Sequence, residues 1–299
     1  MLALIQRLIT CGALLAAGAW LLYFKDKSPL FAVGGFVLIV FGYIAFLALE
    51  FALLHIVNRS DPAPKASYGE LLRAWAGESL VAPQVFCWRQ PFRANAIADN
   101  VAAPDAISGK RGMVFIHGFF CNRGLWTPWL KRLQNSSHAY VAVSLEPVFG
   151  SIDEYIPQID AAVRRVTLAS GLAPVLVCHS MGGLAARAWL QAMKAEARVH
   201  HVVTIGTPHG GTWLARFSRS KNTREMRLSS SWQAGLNLNM PPNRHALFTC
   251  WYSNSDNIVF PASTATLPGA DNRLLRGVAH VQMAFEPQVM DQTLALLAN

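Results

Sequence analysis

Two long apolar stretches stand at the start of the chain. No charged residue lies within residues 8–24, and after the polar turn KDKSP a second uncharged run covers residues 30–49. A helix of that second length reaches about 30 Å at about 1.5 Å per residue, which matches the hydrocarbon core of a bilayer. The pattern predicts a two-helix transmembrane anchor over residues 1–57.

The first run also has one feature of a signal peptide, because Arg7 precedes it. FKDKS lacks the small-residue cleavage pattern, however, and a second apolar run follows at once, so we expect the anchor to be retained. Flanking basic residues give only a weak bias toward a cytoplasmic domain, and the side of the membrane stays open. Glu50 ends the second run and fits a carboxylate at the membrane interface, with a functional intramembrane carboxylate as the alternative.

Beyond the anchor, short apolar runs alternate with longer runs of helical period. Residues 58–67 are polar and contain prolines, so we assign residues 58–83 to a linker and pre-domain segment. We predict strands at residues 84–90, 112–118, 139–145, 174–180, 201–208, 246–253 and 274–278, and helices at residues 125–134, 152–169 and 184–197. This alternation predicts an α/β fold over residues 84–299, with a mainly parallel sheet covered by helices on both faces.

The helix predicted over residues 152–169 has the clearest start signal. Ser151 and Glu154 have the spacing of a capping box, in which each side chain accepts a hydrogen bond from the backbone N–H of the other residue. Pro157 lies inside the same run, where a proline can kink a helix.

The stretch VLVCHSMGGLAAR joins an apolar run to a helical one at Ser180, with Gly182 and Gly183 directly after it. A serine on so sharp a turn presents its hydroxyl above the sheet, and small neighbours let the helix pass close to the strand. Ligands of such sheets bind at the carboxyl ends of the strands. Ser180 is therefore a candidate nucleophile, and a buried serine in an ordinary turn is the alternative.

CHSMGG resembles the GxSxG nucleophile elbow of the α/β-hydrolases, in the form GHSMGG that bacterial lipases use, with Cys178 in place of the first glycine. MVFIHGFF resembles the HG turn that follows the third strand in that family. The resemblance implies that the backbone N–H groups of Phe119 and Met181 form an oxyanion hole, where two donors stabilise the negative oxygen created by attack on an ester. It implies a structural role for His117, which shapes the loop.

A serine hydroxyl needs a base to take its proton, and the base needs an anion to hold its tautomer. In the hydrolases the chain order is Ser, then Asp or Glu, then His. SNSDNIVFP resembles the acid loop of lipases and places Asp256 just beyond a strand, and GVAHVQM places His280 after the expected final strand. We therefore predict a catalytic triad of Ser180, Asp256 and His280.

Other candidates fit this order less well. Asp271 lies ahead of the last strand and is expected to cap or turn a loop, and Asp291 follows the histidine. His179 adjoins the nucleophile but is expected to point away along the chain. Ser180, Asp256 and His280 are therefore the residues that fit the chain order of the triad best.

TIGTPHGGTWLA resembles the segment that leads into the lid of bacterial lipases. We predict a cap or lid at about residues 212–244, where large apolar residues interleave with basic ones. Such a mix suits a surface that touches lipid with apolar side chains while guanidinium groups meet phosphates. The alternative is a cap whose aromatic side chains pack on the domain and whose arginines are solvated.

Charge and cysteine content narrow the partners. The formal net charge of +9 suits anionic lipid as well as nucleic acid, but no nucleic-acid motif accompanies it, so we expect no nucleic-acid partner. The five cysteines have no framework spacing and no CxxC motif, which predicts thiols. No pair of acidic ligands stands near His280, so we predict neither a metal nor another cofactor.

Together these features predict a membrane-anchored serine hydrolase that cleaves carboxylic esters of lipids through an acyl-enzyme, as lipases and esterases do. Its predicted location is the bacterial inner membrane, and its predicted substrates are lipid or acyl esters. An acyltransferase or thioesterase would use the same triad. In a different class, a non-catalytic membrane protein would keep the fold as a binding or scaffolding module.

Overall fold

A six-stranded sheet forms the centre of the computed structural model, which describes residues 1–101, 107–238 and 242–298, without the side chains of residues 242 and 243. All neighbouring strands are parallel, in the order β2-β1-β3-β4-β5-β6. The strands are β1 Met113–Ile116, β2 Tyr140–Ala142, β3 Val175–His179, β4 His201–Ile205, β5 Phe248–Ser253 and β6 Asp271–Leu275. The predicted α/β architecture with a parallel sheet is confirmed.

Helices precede the sheet and cover it. The α-helices are α1 Leu2–Phe24, α2 Pro29–Val57, α3 Tyr68–Pro83, α4 Gln90–Arg93, α5 Thr127–Leu133, α6 Ile156–Ser170, α7 Met181–Met193, α8 Lys221–Glu225, α9 Ser231–Leu238, α10 His280–Met283 and α11 Pro287–Leu294. A π-helical turn, Gln84–Arg89, joins α3 to α4. Short 3-10 turns span Asn58–Ser60, Arg123–Trp126, Ile152–Tyr155, Glu196–Arg198, Trp213–Phe217, Pro242–Leu247, Ala262–Ala265 and Ala295–Leu297.

The sheet has a hydrophobic core on each face. Successive residues of a strand point to opposite sides, so Val114 and Ile116 of β1 pack in a cluster with α6 and α7. Met113 and Phe115 pack on the other side, in a cluster that includes Trp129 of α5 and residues of α11. All four β1 side chains are fully buried. Burial on both faces explains why the strands are continuous apolar runs rather than alternating ones.

The start of α6 follows the sequence signal with one difference. Ser151 and Glu154 form the predicted capping box. The box opens a 3-10 turn, and α6 begins only at Ile156, which places Pro157 in the first turn of the α-helix. An N–H in the first turn has no partner within the helix, so proline fits there and breaks no intrahelical hydrogen bond.

Two predicted strands differ from the structure. Residues 84–90 are helical and not a strand, since they continue α3 through the π-turn into α4. A window of seven residues is too short to separate a period of 2 from one of 3.6. The last strand covers Asp271–Leu275 rather than residues 274–278, because its partner β5 ends at Ser253 and the pairing stops there. Asp271 therefore opens a strand instead of capping a loop.

Helices α1 and α2 are long and apolar enough to cross a bilayer, a test that a signal sequence near the N-terminus also passes. They pack against each other, and the C-terminal part of α2 packs against the rest of the protein. Phe51 and Leu54 of α2 pack with Leu71 of α3 and with Phe260. Trp75 of α3 donates a hydrogen bond to the backbone oxygen of Ile44 in α2 (3.0 Å). The helices are thus fixed to the sheet domain, while the assignment of residues 1–57 as an anchor remains a prediction.

The described residues of the segment predicted as a cap pack against the sheet domain. Met226 and Leu236 are buried in the core cluster that contains α6 and α7. Trp213 stacks on Phe260, with ring centroids 5.9 Å apart, and Asn222 donates a hydrogen bond to the backbone oxygen of Val148. These contacts favour the alternative in which the segment's large side chains pack on the domain.

Candidate active site

Ser180 lies in the sharp turn that the sequence predicts. β3 ends one residue before it and α7 begins one residue after it, and its backbone has a φ of 54°, in the left-handed region. A Cβ atom on Gly182 would lie 2.3 Å from the backbone oxygen of Ile116, so only glycine lets α7 pass β1 so closely. Non-glycine residues at positive φ concentrate at functional sites, where the surrounding structure holds the strain.

Asp256 and His280 form a buried pair. His280 Nδ1 lies 2.9 Å from Asp256 Oδ2, and the two side chains are only 2% and 5% exposed. The other carboxylate oxygen, Oδ1, accepts the backbone N–H groups of Ile258 (2.9 Å) and Val259 (2.8 Å). An ionised carboxylate only accepts hydrogen bonds, so Nδ1 carries the proton and Nε2 keeps its lone pair.

The surroundings of His280 strengthen it as a base. Burial by itself lowers the pKa of the imidazole, but the charge of Asp256 and its hydrogen bond outweigh burial, with a further contribution from Glu78. The net result is a pKa raised above the ordinary value for histidine. A more basic imidazole is better suited to take a proton from a hydroxyl.

Ser180 and His280 line the same cavity, which has a volume of about 710 Å³. Among the described residues, no hydrogen bond joins the Ser180 hydroxyl to the imidazole. In sites without substrate such hydrogen bonds are often long or poorly aligned and tighten when substrate binds. Of the predicted triad, Asp256 and His280 are therefore in direct contact, and Ser180 lines the same cavity as His280.

The two predicted oxyanion donors also lie at Ser180. Met181 is the first residue of α7, where an N–H has no partner within the helix. Phe119 follows Gly118 in the loop after β1, and a Cβ atom on Gly118 would lie only 3.2 Å from Ser180 Oγ. Neither the Phe119 nor the Met181 N–H has a hydrogen-bond partner among the described residues. Both donors are therefore free to bind a negative oxygen.

Two histidines beside Ser180 are held neutral. His117 accepts the backbone N–H of Leu145 at Nε2 and lies 2.9 Å from the Gly118 oxygen at Nδ1, and burial lowers its pKa to about 4. These contacts agree with a loop-shaping role. His179 was expected to point away along the chain, and this expectation is wrong. The centroid of its ring lies 4.6 Å from that of the His280 ring, and its Nε2 donates to the His280 backbone oxygen.

Glu78 of α3 is a buried residue of the site that sequence reasoning missed. Its carboxylate accepts the backbone N–H groups of Val281 (3.1 Å) and Gln282 (3.0 Å), the residues directly after His280. It is 2% exposed, and burial raises its pKa to about 7. The carboxylate thus holds the start of α10. A single glutamate in a mixed helix carries no motif that could have revealed this contact.

Asn257 links His280 to the apolar helices. Its Oδ1 accepts the backbone N–H of His280 (3.2 Å), and its Nδ2 donates to Glu50 Oε2 (2.7 Å). Glu50 is 8% exposed. It is therefore a buried partner of the sheet domain rather than a carboxylate exposed to water, and its predicted place at the membrane interface stays a prediction. Its position alone, at the end of an uncharged run, was the only signal in the sequence.

The described residues contain no group of three or more His, Cys, Asp or Glu side chains that could hold a metal ion. All five cysteines are free thiols. Cys178, which replaces the first glycine of the elbow motif, is buried in the core, and burial raises the pKa of its thiol. It is a packing residue beneath the turn.

A profile of the alpha/beta hydrolase family matches residues 113–293, more than half of the chain and all of its predicted triad. The chain belongs to the alpha/beta hydrolase family. Among curated proteins, no sequence matches it. The hydrolase family accounts for the parallel sheet and for the turn at Ser180.

Solved structures of lipases share this hydrolase's fold. The mature form of lipase BlEst2 from Bacillus licheniformis is 19% identical, with a TM-score of 0.56, over 67% of this chain and 96% of that one. Lipase B from Aspergillus fumigatus is 17% identical, also with a TM-score of 0.56, over 64% of this chain and 53% of that one. The chain thus spans about half the length of the Aspergillus lipase, and at these identities the likeness concerns the fold alone.

Proposed function

We propose that this hydrolase is a membrane-anchored serine esterase that cleaves acyl esters of lipids, acylglycerols or phospholipids, through an acyl-enzyme. The observation that carries the proposal is that His280, paired with the buried Asp256, lines the same cavity as Ser180. Lipase neighbours with the same fold agree with it. The proposed location is the inner membrane of a bacterium, reached through α1 and α2.

The proposed reaction begins at the Ser180 hydroxyl. Its oxygen attacks the ester carbonyl carbon while Nε2 of His280 takes its proton, and Asp256 stabilises the imidazolium that forms. The N–H groups of Phe119 and Met181 bind the carbonyl oxygen as it becomes negative. When the intermediate collapses, the bond to the alcohol breaks and His280 returns the proton to the leaving oxygen. Water then repeats the sequence on the acyl-enzyme and releases the fatty acid.

The dipole of α7 supports the same step. The thirteen-residue helix Met181–Met193 begins at the oxyanion position, so its positive end faces the developing charge. Loss of one oxyanion donor in other hydrolases costs about 10²–10³ in rate. These donors are backbone groups, so the loop and the turn that hold them are part of the proposed machinery.

A short fluorophosphonate probe tests the proposal on the full-length protein. We expect covalent labelling of the wild type, none of Ser180→Ala, and normal labelling of Ser231→Ala, a control at an exposed serine of α9. Hydrolysis of a lipid ester should fall by about 10⁶-fold in Ser180→Ala, as for other serine nucleophiles.

Failure to label a folded wild-type protein would contradict the proposal and favour a binding or scaffolding module. Product analysis with water and added alcohol separates hydrolysis from acyl transfer. Free fatty acid as the main product supports a hydrolase, and a new ester as the main product favours an acyltransferase with the same triad.

A further inference from the structure

The cavity at Ser180 has its outer walls in the apolar helices. Its inner end lies at Ser180, His280 and Phe119, and from there it extends between α1, α2 and the helical stretch from α3 to Arg89. A volume of about 710 Å³ falls among pockets of about 300–1,000 Å³ that bury small ligands. None of the described residues of 212–244, the predicted cap, lines it.

The wall changes in character along its length. Polar groups gather at the inner end, beside His280, and the part formed by the helices is almost wholly apolar. Four of its lining residues are large and exposed: Ile9 is 59%, Leu14 57%, Phe41 48% and Phe46 62% exposed. The cavity therefore opens on the apolar outer surface of α1 and α2, the surface that would face lipid tails.

The helices are built into the site and do not merely lie near it. Gln6 of α1 is 2% exposed and donates to the backbone oxygen of Phe120, the residue after the proposed oxyanion donor (3.2 Å). Glu50 of α2 holds Asn257, which holds the His280 N–H. Tyr43 of α2 donates to the Ser79 oxygen (2.8 Å). Hydrogen bonds at buried and partly buried positions are costly to break, so these three fix the wall against the site.

We propose that this cavity binds the acyl chain of a bilayer lipid ester, which passes sideways from the membrane between the apolar helices to reach Ser180. The inference rests on the proposed function and adds to it a binding site made by α1 and α2. An apolar channel suits a hydrocarbon chain, and the polar inner end suits the ester group. The two helices thus act as the acyl-binding wall as well as the anchor.

Substitutions that narrow the channel test this binding site. Ala13→Phe narrows it from α1, and Ala82→Phe narrows it from α3 on another wall. Ala16→Phe is the matched control, because Ala16 is exposed one turn further along α1 and does not line the cavity. The assay uses full-length protein in phospholipid nanodiscs, and it compares kcat/KM for butyrate and palmitate esters of one alcohol.

We expect both narrowed variants to lose at least about tenfold in kcat/KM for the palmitate ester, and less than about twofold for the butyrate ester, since a butyrate chain is much shorter and fills less of the cavity. Ala16→Phe should match the wild type with both. Equal loss of both esters in well-folded narrowed variants would overturn the inference, and so would full palmitate activity in both variants.

Fluorophosphonate labelling keeps the two proposals apart. If the wild type is not labelled, the proposed function fails. If the wild type and the narrowed variants are all labelled at Ser180 while palmitate hydrolysis is unchanged, only the acyl-binding site fails.

The cysteines provide a second measurement. Cys87 is exposed and lines the cavity, whereas Cys11 is exposed on α1 outside it. A hexadecyl thiosulfonate should block palmitate hydrolysis in the wild type and in Cys11→Ser, but not in Cys87→Ser. Cys121 also lines the cavity but is buried, and its pKa is raised to about 12, so it reacts poorly. Equal inhibition of both serine variants would contradict the proposed channel.

Discussion

Two regions of this hydrolase are rich in large apolar residues, and they serve the site in different ways. The segment 212–244 was the expected cap, yet Met226 and Leu236 pack in the core beside α6 and α7. Helices α1 and α2 were expected to be only an anchor, yet they line the cavity at Ser180. Apolar composition alone therefore does not reveal which segment forms the wall of a site, because that depends on where the segment docks.

The largest effect we predict on this comparison is on stability. Leu236→Ala removes a side chain that is 4% exposed, and such changes cost about 2–5 kcal/mol. We expect that loss in the free energy of unfolding, measured by denaturant titration in detergent, with an unchanged ratio of palmitate to butyrate activity. Leu238→Ala, 83% exposed on the same helix, should change stability by less than about 0.5 kcal/mol. A changed ester ratio in Leu236→Ala would show that this segment shapes the cavity.

Glu50→Leu tests the contact from the apolar helices. Without the carboxylate, Asn257 loses its partner and no longer holds the His280 N–H firmly. A buried polar group left without a partner costs about 1–3 kcal/mol, so we expect kcat/KM to fall by about tenfold. Glu50→Gln keeps an acceptor for Asn257 and should restore most of the activity. If Glu50→Leu is as active as Glu50→Gln, the helices do not position the histidine.

Glu78→Gln tests the pH dependence. Glu78 contributes to the raised pKa of His280, so its removal should lower that pKa and move the acid limb of kcat/KM to lower pH. Glu78 itself has a pKa raised to about 7, so the folded state binds its proton more tightly than the unfolded chain does. The wild type should therefore lose stability as the pH rises from about 4.3 through 7, relative to the variant. If wild type and Glu78→Gln show the same pH dependence of kcat/KM and of the free energy of unfolding, both expectations are wrong.

The smallest effect is expected at an exposed arginine of the 212–238 segment. Arg219→Ala should change the free energy of unfolding by less than about 0.5 kcal/mol and activity on anionic vesicles by less than twofold. A basic side chain that meets an anionic membrane is worth about 1 kcal/mol. A loss of about fivefold, absent on neutral vesicles, would show that this segment touches lipid after all.

Local pattern was enough to locate the parts of the site that depend on neighbouring residues. The turn at Ser180 follows from the glycines after it, and the positions of Asp256 and His280 follow from the strands before them. Glu50 and Glu78 reach the site only because α2 docks against the loop at Asn257 and α3 against the start of α10 at Val281, some 200 positions away. No short-range pattern records such docking.

The same distinction explains the errors in secondary structure. Residues 84–90 are helical because α3 extends through them, with Val85 turned into the core and Phe86 toward the cavity. A window of seven mixed apolar and polar residues does not show that a preceding helix continues through it. By contrast, the capping box at Ser151 is complete within four residues, and it was confirmed.

The contact between Asn257 and Glu50 can form only late in the synthesis of the protein. The residues of α2 leave the ribosome long before position 257, and position 280 follows later still. For helices that insert as they are synthesised, the histidine can take its place only after the late part of the chain has docked on an already inserted pair. The proposed ester-cleaving centre would then be completed only after the two apolar helices are in place.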